Sequence, residues 1–358
     1  MSAITTQDAT ERVPARGHVR LSVVRQRLRV GNARELHLLR RMIPPAIGVA
    51  AVLALILGID PKDFGRAVSQ FRVVLLAPIV VVSVAYYFLQ GVRWHQLLRV
   101  IGVPLRLRDT VLINFAGQAT AVLPLGELTR AVLVTEATGT PFGAVVATVT
   151  VQELIYTMVL IVFAVPRLVG VPHALPGVVA ALVLTGMVFL ALSWCPAYRW
   201  LRLAVSHTPG LRRFLHEVDE LHNDVVLLMR DRVTLSGMWI SALQAACTIT
   251  ALWLVVQALA PGSLSWASAA LVFAVSNVAG ALSLIPGGIG AYEASVVGLL
   301  VGLGLNPGTA AAVALLQRLA DKGLATAIGF AGYAVARRRL GISGIGTLPV
   351  RGGLEAAA

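Results

Sequence analysis

Six apolar runs, 42–59, 73–92, 142–166, 174–195, 235–260 and 308–336, divide this chain. About 20 apolar residues suffice for a helix to cross the hydrocarbon core of a bilayer. In lipid the backbone must satisfy its own hydrogen bonds, and runs of this length do so as helices. The composition agrees, with 57% hydrophobic and only 13% charged residues. The sequence predicts an all-α integral membrane protein, a polytopic helical bundle filling most of the chain.

Charge supplies the topology. The net charge is +13, and among 30 basic residues only Lys62 and Lys322 are lysine. The arginines flank the apolar runs, which fits basic loops retained in the cytoplasm better than nucleic-acid binding. A grip on anionic headgroups is compatible with the same placement. Residues 1–41 carry nine arginines and form a basic segment, too long and polar for an ordinary signal-peptide n-region. Both this segment, of which 1–35 reads as disordered or loosely helical, and the Gly-rich tail 341–358 are expected in the cytoplasm, and the tail is expected to be flexible. Cys195 and Cys247 suggest neither a disulfide framework nor a metal site.

One longer polar insert, 196–233, separates the spans. Within it Leu211, Phe214, Leu215, Val218, Leu221, Val225 and Leu228 recur every three or four residues. Arg212, Arg213, Glu217, Glu220, Asp224 and Arg230 take other faces. This pattern predicts an amphipathic helix, begun at Thr208-Pro209-Gly210, that lies against the membrane or the cytoplasmic face of the bundle. A partner-binding helix is the other reading.

A set of landmarks occurs twice. Residues 114–153 contain Asn114-Phe-Ala-Gly117, Pro124-Leu-Gly126-Glu127, Pro141 and Gln152-Glu153. Residues 277–318 contain Asn277-Val-Ala-Gly280, Pro286-Gly-Gly-Ile-Gly290-Ala-Tyr-Glu293, Pro307 and Gln317-Arg318. Asn114 to Gln152 is 38 positions and Asn277 to Gln317 is 40. Proline, glycine and a carboxylate inside apolar sequence point to broken helices around a polar site.

Suppose six segments span and the loops 108–136 and 266–300 are re-entrant hairpins. With the N-terminus inside, 24 basic residues face the cytoplasm and four face outward. If each loop crosses once instead, the split is 18 to 10. The positive-inside rule favours the hairpins. The units 73–166 and 235–336 then have opposite orientation, an inverted-topology repeat with its site near the midplane.

Each turn opens a half-helix whose first N–H groups are free, so an anion such as a lipid phosphate can bind there. Gly287, Gly288 and Gly290 allow the tight geometry. Glu127 and Glu293 follow the turns, where they can cap the half-helix, meet a cationic headgroup or act as a proton-coupled switch. Arg130 can pair with Glu127 or hold phosphate. Glu153 and Arg318 occupy matching positions, and symmetry suggests that they pair across the halves. Arg318 and Lys322 share a helical face, with Asp321 able to neutralise either. Asn114, Gln118 and Asn277 read as makers of inter-helix hydrogen bonds. The seven histidines show no ligand spacing, there is no phosphate-binding Gly-x4-Gly-Lys loop, and no nucleophile–base set stands out, so neither metal, cofactor nor enzymatic activity is expected.

Several of these stretches resemble the lysylphosphatidylglycerol synthase transmembrane family, also called the flippase-like domain family. They are Pro286 to Glu293 followed by Leu315-Leu-Gln-Arg318; Leu123-Pro-Leu-Gly-Glu-Leu-Thr-Arg130; and Gly91-Val-Arg-Trp-His-Gln-Leu-Leu-Arg99 with Gly102-Val-Pro104. The resemblance covers about 43–340. The turn at Pro124 is shorter than the family's usual form, and its aspartate in the following span is replaced near Tyr156. The resemblance implies a domain, 42–340, that moves lipids between leaflets of the cytoplasmic membrane. With about 18 residues after Leu340, it does not carry over synthase activity. The expected ligand is an anionic or aminoacylated phospholipid or a lipid-linked glycan, bound by Glu127, Arg130, Glu153, Glu293, Arg318, Asp321 and Lys322. A membrane scaffold for a lipid or glycosyl transferase is the alternative, and a membrane transferase ranks last.

Overall fold

The computed structural model describes residues 65–66, 68–120, 126–168, 183, 198–199, 202–203, 206–207, 215–283 and 288–341. The run 42–59 and all of 174–195 except Val183 lie outside the described residues, as do Thr208-Pro209-Gly210 and the turn residues Pro124, Leu125, Pro286 and Gly287.

The described residues are helical throughout their regular structure. A 3-10 turn at Val73–Leu75 leads into α1, Leu76–Val100. Gly102, at φ +78°, ends α1, and Pro104 follows. Next come α2, Leu107–Gly117, and α3, Thr129–Thr138, with 3-10 turns at Gln118–Thr120 and Gly126–Leu128 between them. Then follow α4, Phe142–Leu168; α5, Leu215–Arg230; α6, Arg232–Ser236; and α7, Met238–Leu259. The series continues with α8, Trp266–Leu282, and α9, Ala291–Gly302. Asn306 caps α10, Pro307–Arg318, by accepting from the Gly308 N–H at 2.8 Å, with Pro307 in the first turn where its missing N–H costs nothing. A π-helical segment, Leu319–Gly323, joins α10 to α11, Leu324–Leu340, so the chain stays helical from Pro307 to Leu340.

Among the described residues three stretches are long and apolar enough to cross a membrane: Val73–Val100, Phe142–Arg167 and Arg232–Leu259. They match the runs expected at 73–92, 142–166 and 235–260. The run 308–336 is also one unbroken helix, with Arg318, Asp321 and Lys322 midway along it. The outer faces stay apolar and open: Val74, Val81, Phe88, Val162 and Phe330 are exposed, as lipid-facing side chains are.

The packing is reciprocal. α1 packs along α7, the opening helices of the two repeat units. α4 of the first unit packs on α8 of the second, and α11 of the second packs on α2 of the first. The α11–α2 seam is close because it uses glycine. A Cβ on Gly329 would lie 2.2 Å from the Ala119 nitrogen, and one on Gly332 would lie 3.1 Å from the Ala116 nitrogen. Small residues allow such backbone approach, which in lipid stands in for the missing hydrophobic drive between helices.

The amphipathic helix is present over Leu215–Arg230, and Val225 and Leu228 of its apolar stripe face the bundle. Val225 and Leu228 are buried against Leu97, Ala147, Val151 and Ile155 of α1 and α4. Structural packing, the first of the two readings of this helix, is what Val225 and Leu228 do.

Candidate functional site

The apolar helices enclose a belt of polar side chains. In the first repeat copy it is built around Arg130, fully buried on α3. Arg130 Nη1 donates to Asn114 Oδ1 at 3.0 Å and to Gln152 Oε1 at 3.2 Å. Its Nη2 donates to Glu153 Oε1 at 2.9 Å. The guanidinium also lies 5.2 Å from the centroid of the Trp94 ring. Asn114 passes the network on, donating to the Tyr87 carbonyl at 2.9 Å and to Gln90 Oε1 at 3.1 Å. Gln118 and Gln152 donate to Gln90 as well, at its side-chain and backbone oxygens. A buried cation is tolerable because its partners are charged or aimed at it. The inter-helix role expected of Asn114 and Gln118 is what they perform.

In the second copy the polarity is reversed. Glu293, 2% exposed on α9, accepts from Arg318 Nε at 3.1 Å. Its other oxygen, Oε2, accepts from the Gly290 N–H at 2.6 Å. Glu293 therefore caps its own helix and forms an ion pair at once. The Arg318 guanidinium lies 5.5 Å from the Tyr292 ring centroid. The turn ahead of this helix needs glycine, as expected. Gly288 has φ +64° and Gly290 φ +89°. A Cβ on Gly288 would also stand 3.0 Å from Gly280 Cα.

Spacing then identifies the counterparts. Arg130 lies 16 residues after Asn114, and Glu293 lies 16 after Asn277. Glu293 thus corresponds to Arg130 rather than to Glu127. The Glu153–Arg318 pair expected from symmetry does not form. Positions related by a repeat each reach the helix after their own turn, so Glu153 meets Arg130 and Arg318 meets Glu293. For the same reason Arg130 does not pair with Glu127.

Two contacts join the copies at the π-helical segment. Lys322 Nζ donates to Glu127 Oε1 at 3.4 Å, with 24% and 37% of the two side chains exposed. The Tyr87 hydroxyl donates to Asp321 Oδ1. Asp321 therefore does not neutralise Arg318 or Lys322 by direct contact, and those two bases serve different carboxylates. Lys322 lies within the π-helical turn and Arg318 immediately before it, and such turns are frequent at functional sites. The second interface between copies lacks a charge. Four residues after Gln152 stands Tyr156, and four after Gln317 stands Asp321. The Tyr156 hydroxyl meets Thr248 Oγ1 of α7 at 2.9 Å. Each contact thus links the opening helix of one unit to the closing helix of the other.

The charged groups form one cluster. Glu127 and Glu153 feel each other's charge, and both feel Arg130 and Lys322. Tyr86, Tyr87 and Tyr156 pack together beside them, Tyr87 edge-on to Tyr86 with ring centroids 4.8 Å apart and Tyr156 tilted against it at 5.8 Å. Several buried atoms here have no hydrogen-bond partner among the described residues: Glu127 Oε2, Gln118 Oε1, Gln317 Oε1 and the Tyr292 hydroxyl. Glu127, Arg130, Glu153, Gly288, Gly290, Glu293, Arg318, Asp321 and Lys322 are all placed in or beside this belt, and Gly287 lies outside the described residues. Sequence reasoning did not single out Tyr87, Gln90, Trp94, Gln152 and Tyr292 as members. The signal for Gln90 and Gln152 was amide side chains inside apolar spans. The tyrosines and Trp94 carried none that sets them apart from core aromatics.

The profile of one family, the lysylphosphatidylglycerol synthase TM region, matches residues 42–329, most of the chain. The chain belongs to this family. Two UPF0104 membrane proteins of Methanothermobacter thermautotrophicus (strain Delta H) are relatives. One is 24% identical over 305 residues, covering 79% of this chain and 90% of the relative. The other is 23% identical over 312 residues, covering 80% and 92%. Their coverage makes the membrane bundle the unit shared. The stretches that carried the resemblance, Gly91 to Arg99, Leu123 to Arg130, Pro286 to Glu293 and Leu315 to Arg318, all lie inside the match to the lysylphosphatidylglycerol synthase TM region.

Proposed function

We propose that this protein translocates a phospholipid headgroup between the leaflets of the cytoplasmic membrane, without enzymatic chemistry. The observation that carries the reading is the belt itself. It places seven ionisable side chains inside a bundle with apolar outer faces, where charge costs about 2.5–3.5 kcal/mol per residue on insertion scales and is rarely without a role. Arg130–Glu153 and Glu293–Arg318 brace each copy internally. Lys322–Glu127 spans the copies and keeps both side chains partly open. That pair offers a base to a phosphate and a carboxylate to an ammonium, the two charges of an amine-bearing phospholipid headgroup. The family's name points to the same class of lipid.

In this reading the helix pairs α2–α3 and α8–α9 are re-entrant hairpins of an inverted repeat, six segments span, and both termini face the cytoplasm. The reciprocal packing of α4 on α8 and α11 on α2 supports two interchangeable halves. Rocking of one half against the other then exposes the belt to either side. A scaffold for a membrane enzyme is less well supported, because the apolar stripe of α5 is already buried at Val225 and Leu228.

The test is translocation of fluorescent amine-headgroup phospholipid in reconstituted vesicles. The parent should move the label faster than protein-free vesicles, and folded Glu293→Gln and Arg318→Ala variants should be slower. Equal rates for parent and variants contradict the site. Topology has its own check. In a background without Cys195 and Cys247, Thr138→Cys should label from the cytoplasm and Gly302→Cys from outside. Labelling of both from one side rules out the inverted arrangement.

A further inference from the structure

Three consecutive arginines end α11, and they are not equivalent. Arg339 Nε meets Asp109 Oδ1 of α2 at 3.2 Å. Arg337 and Arg338 are exposed and make no ion pair or hydrogen bond among the described residues. Successive residues of a helix are turned by about 100°, so Arg339 can reach α2 while the other two stay on neighbouring faces. Together with Tyr333 and Ala334 they line a pocket of about 470 Å³. That volume lies within the range of about 300–1,000 Å³ usual for small-ligand sites. Tyr333 also packs against the core around Trp94, Leu98 and Val103, which anchors this wall to the bundle. None of the four lining residues is acidic, so the pocket presents two positive charges and no negative one.

The helix continues this surface as an apolar strip. Ala334, Phe330, Ala327 and Leu319 follow the arginines toward the middle of the helix at spacings of three, four or eight residues, and all are exposed. Such spacings keep residues on one face. From Leu319 to Ala334 the helix rises by about 22 Å, more than the roughly 15 Å of hydrocarbon in one leaflet. A cationic pocket therefore stands at the water end of a strip long enough for an acyl chain.

We infer that this surface binds one anionic phospholipid from the leaflet at the C-terminal end of α11. Arg337 and Arg338 hold the phosphate, and one acyl chain lies along the strip. A zwitterionic headgroup brings an ammonium, and the pocket has no carboxylate to receive it. A soluble anion satisfies the arginines but leaves the strip unused. The site is separate from the belt, because Arg337 lies 15 residues beyond Lys322, about 22 Å along the helix. It needs only a bundle embedded in a membrane and does not rest on the translocation reading. The bound lipid fastens one end of the helix that carries Arg318, Asp321 and Lys322.

Binding of phosphatidylglycerol to the delipidated full chain in detergent tests this, read by native mass spectrometry and by thermal unfolding. The parent should bind phosphatidylglycerol more tightly than phosphatidylcholine and should melt higher in its presence. Arg337→Gln and Arg338→Gln should each weaken binding about fivefold, and the two together about tenfold or more. Both side chains are exposed and without partners, so the fold should survive these changes. Lysine at both positions keeps the charge and should keep the affinity within about threefold. Arg230→Gln with Arg232→Gln removes two exposed charges that do not line the pocket, and should leave the affinity unchanged. An equal loss in that control would show diffuse attraction to a basic surface and overturns the site. So does a double Arg337→Gln, Arg338→Gln variant that binds like the parent, or a parent that binds phosphatidylcholine equally well. Displacement of the lipid by millimolar inorganic phosphate would reveal a soluble-anion site and overturns the lipid assignment.

Discussion

In the first repeat copy the helix after the turn carries a buried arginine, Arg130, and the following span carries the carboxylate, Glu153. In the second the signs are exchanged: Glu293 stands after the turn and Arg318 on the following helix. Both bases lie over an aromatic ring, Trp94 in one copy and Tyr292 in the other. What the copies share is a neutral brace between the helix after the turn and its own span. Which partner bears which charge is immaterial to that task. The copies differ in how they brace. Arg130 is held by a knot of amides from Asn114 and Gln152, whereas Glu293 is held by a backbone N–H of its own turn. Asn277, the counterpart of Asn114, makes no side-chain hydrogen bond among the described residues. The charged features without a counterpart, Asp321 and the Lys322–Glu127 pair, lie at contacts between the halves.

The sharpest way to break this equivalence is to reverse one copy. Arg130→Glu sets two carboxylates face to face and strips Asn114 and Gln152 of their donor. Removing one partner of a buried pair costs about 3–5 kcal/mol, so this variant should lose most of its folded yield and melting temperature. Adding Glu153→Arg gives the first copy the polarity of the second and should recover much of the loss in thermal unfolding. A double variant no more stable than the single one would show that the two braces are not equivalent.

A smaller difference lies in the glycines that begin each turn. A Cβ on Gly117 would stand 2.7 Å from the Arg130 Cβ, but one on Gly280 would meet the Tyr292 Cβ at 3.4 Å, an ordinary contact. Gly117→Ala should therefore cost about 1–3 kcal/mol by overpacking, and Gly280→Ala should fall within about 0.5 kcal/mol of the parent. Equal melting temperatures for the two would contradict the closer approach in the first copy.

The smallest effects concern the aromatic rings. Trp94→Phe removes the better cation–π partner and the indole bond to Thr148 at 2.8 Å, and should cost about 1–2 kcal/mol. Tyr292→Phe keeps its ring and loses only a hydroxyl that has no partner among the described residues. It should be neutral in thermal unfolding, or slightly stabilising. A larger cost at Tyr292 than at Trp94 would show that the second copy depends on its ring more than the first.

Much of this was legible in the sequence. Run length and apolarity located the helices at 73–100, 142–167 and 232–259. The proline and glycine landmarks located the breaks, because few other residues can turn a chain without stranding backbone groups. The charged members of the belt were readable too, since a charge inside an apolar helix has few places to go; its amides and aromatics were not. The pairing was not. Taking the first carboxylate after each turn as equivalent matched Glu127 with Glu293, whereas counting from the asparagines matches Arg130 with Glu293. Symmetry suggested Glu153–Arg318 because related positions were assumed to face each other across the halves. Each instead lies nearer its own turn. The π-helical turn was hidden as well. One extra residue per turn leaves no mark on composition, and the segment it forms holds Asp321 and Lys322.

The central claim is that the Lys322–Glu127 contact between the halves takes part in lipid movement. Exchange of its charges tests this most directly. Folded Glu127→Lys and Lys322→Glu variants each set like charges opposite each other and should slow translocation of amine-headgroup phospholipid by about tenfold or more, the equivalent of 1.4 kcal/mol. The double variant restores an ion pair of reversed polarity, and its rate should return to within about threefold of the parent if the two charges act chiefly on each other. Single variants that translocate as fast as the parent, or a double variant no faster than either single, would contradict the account.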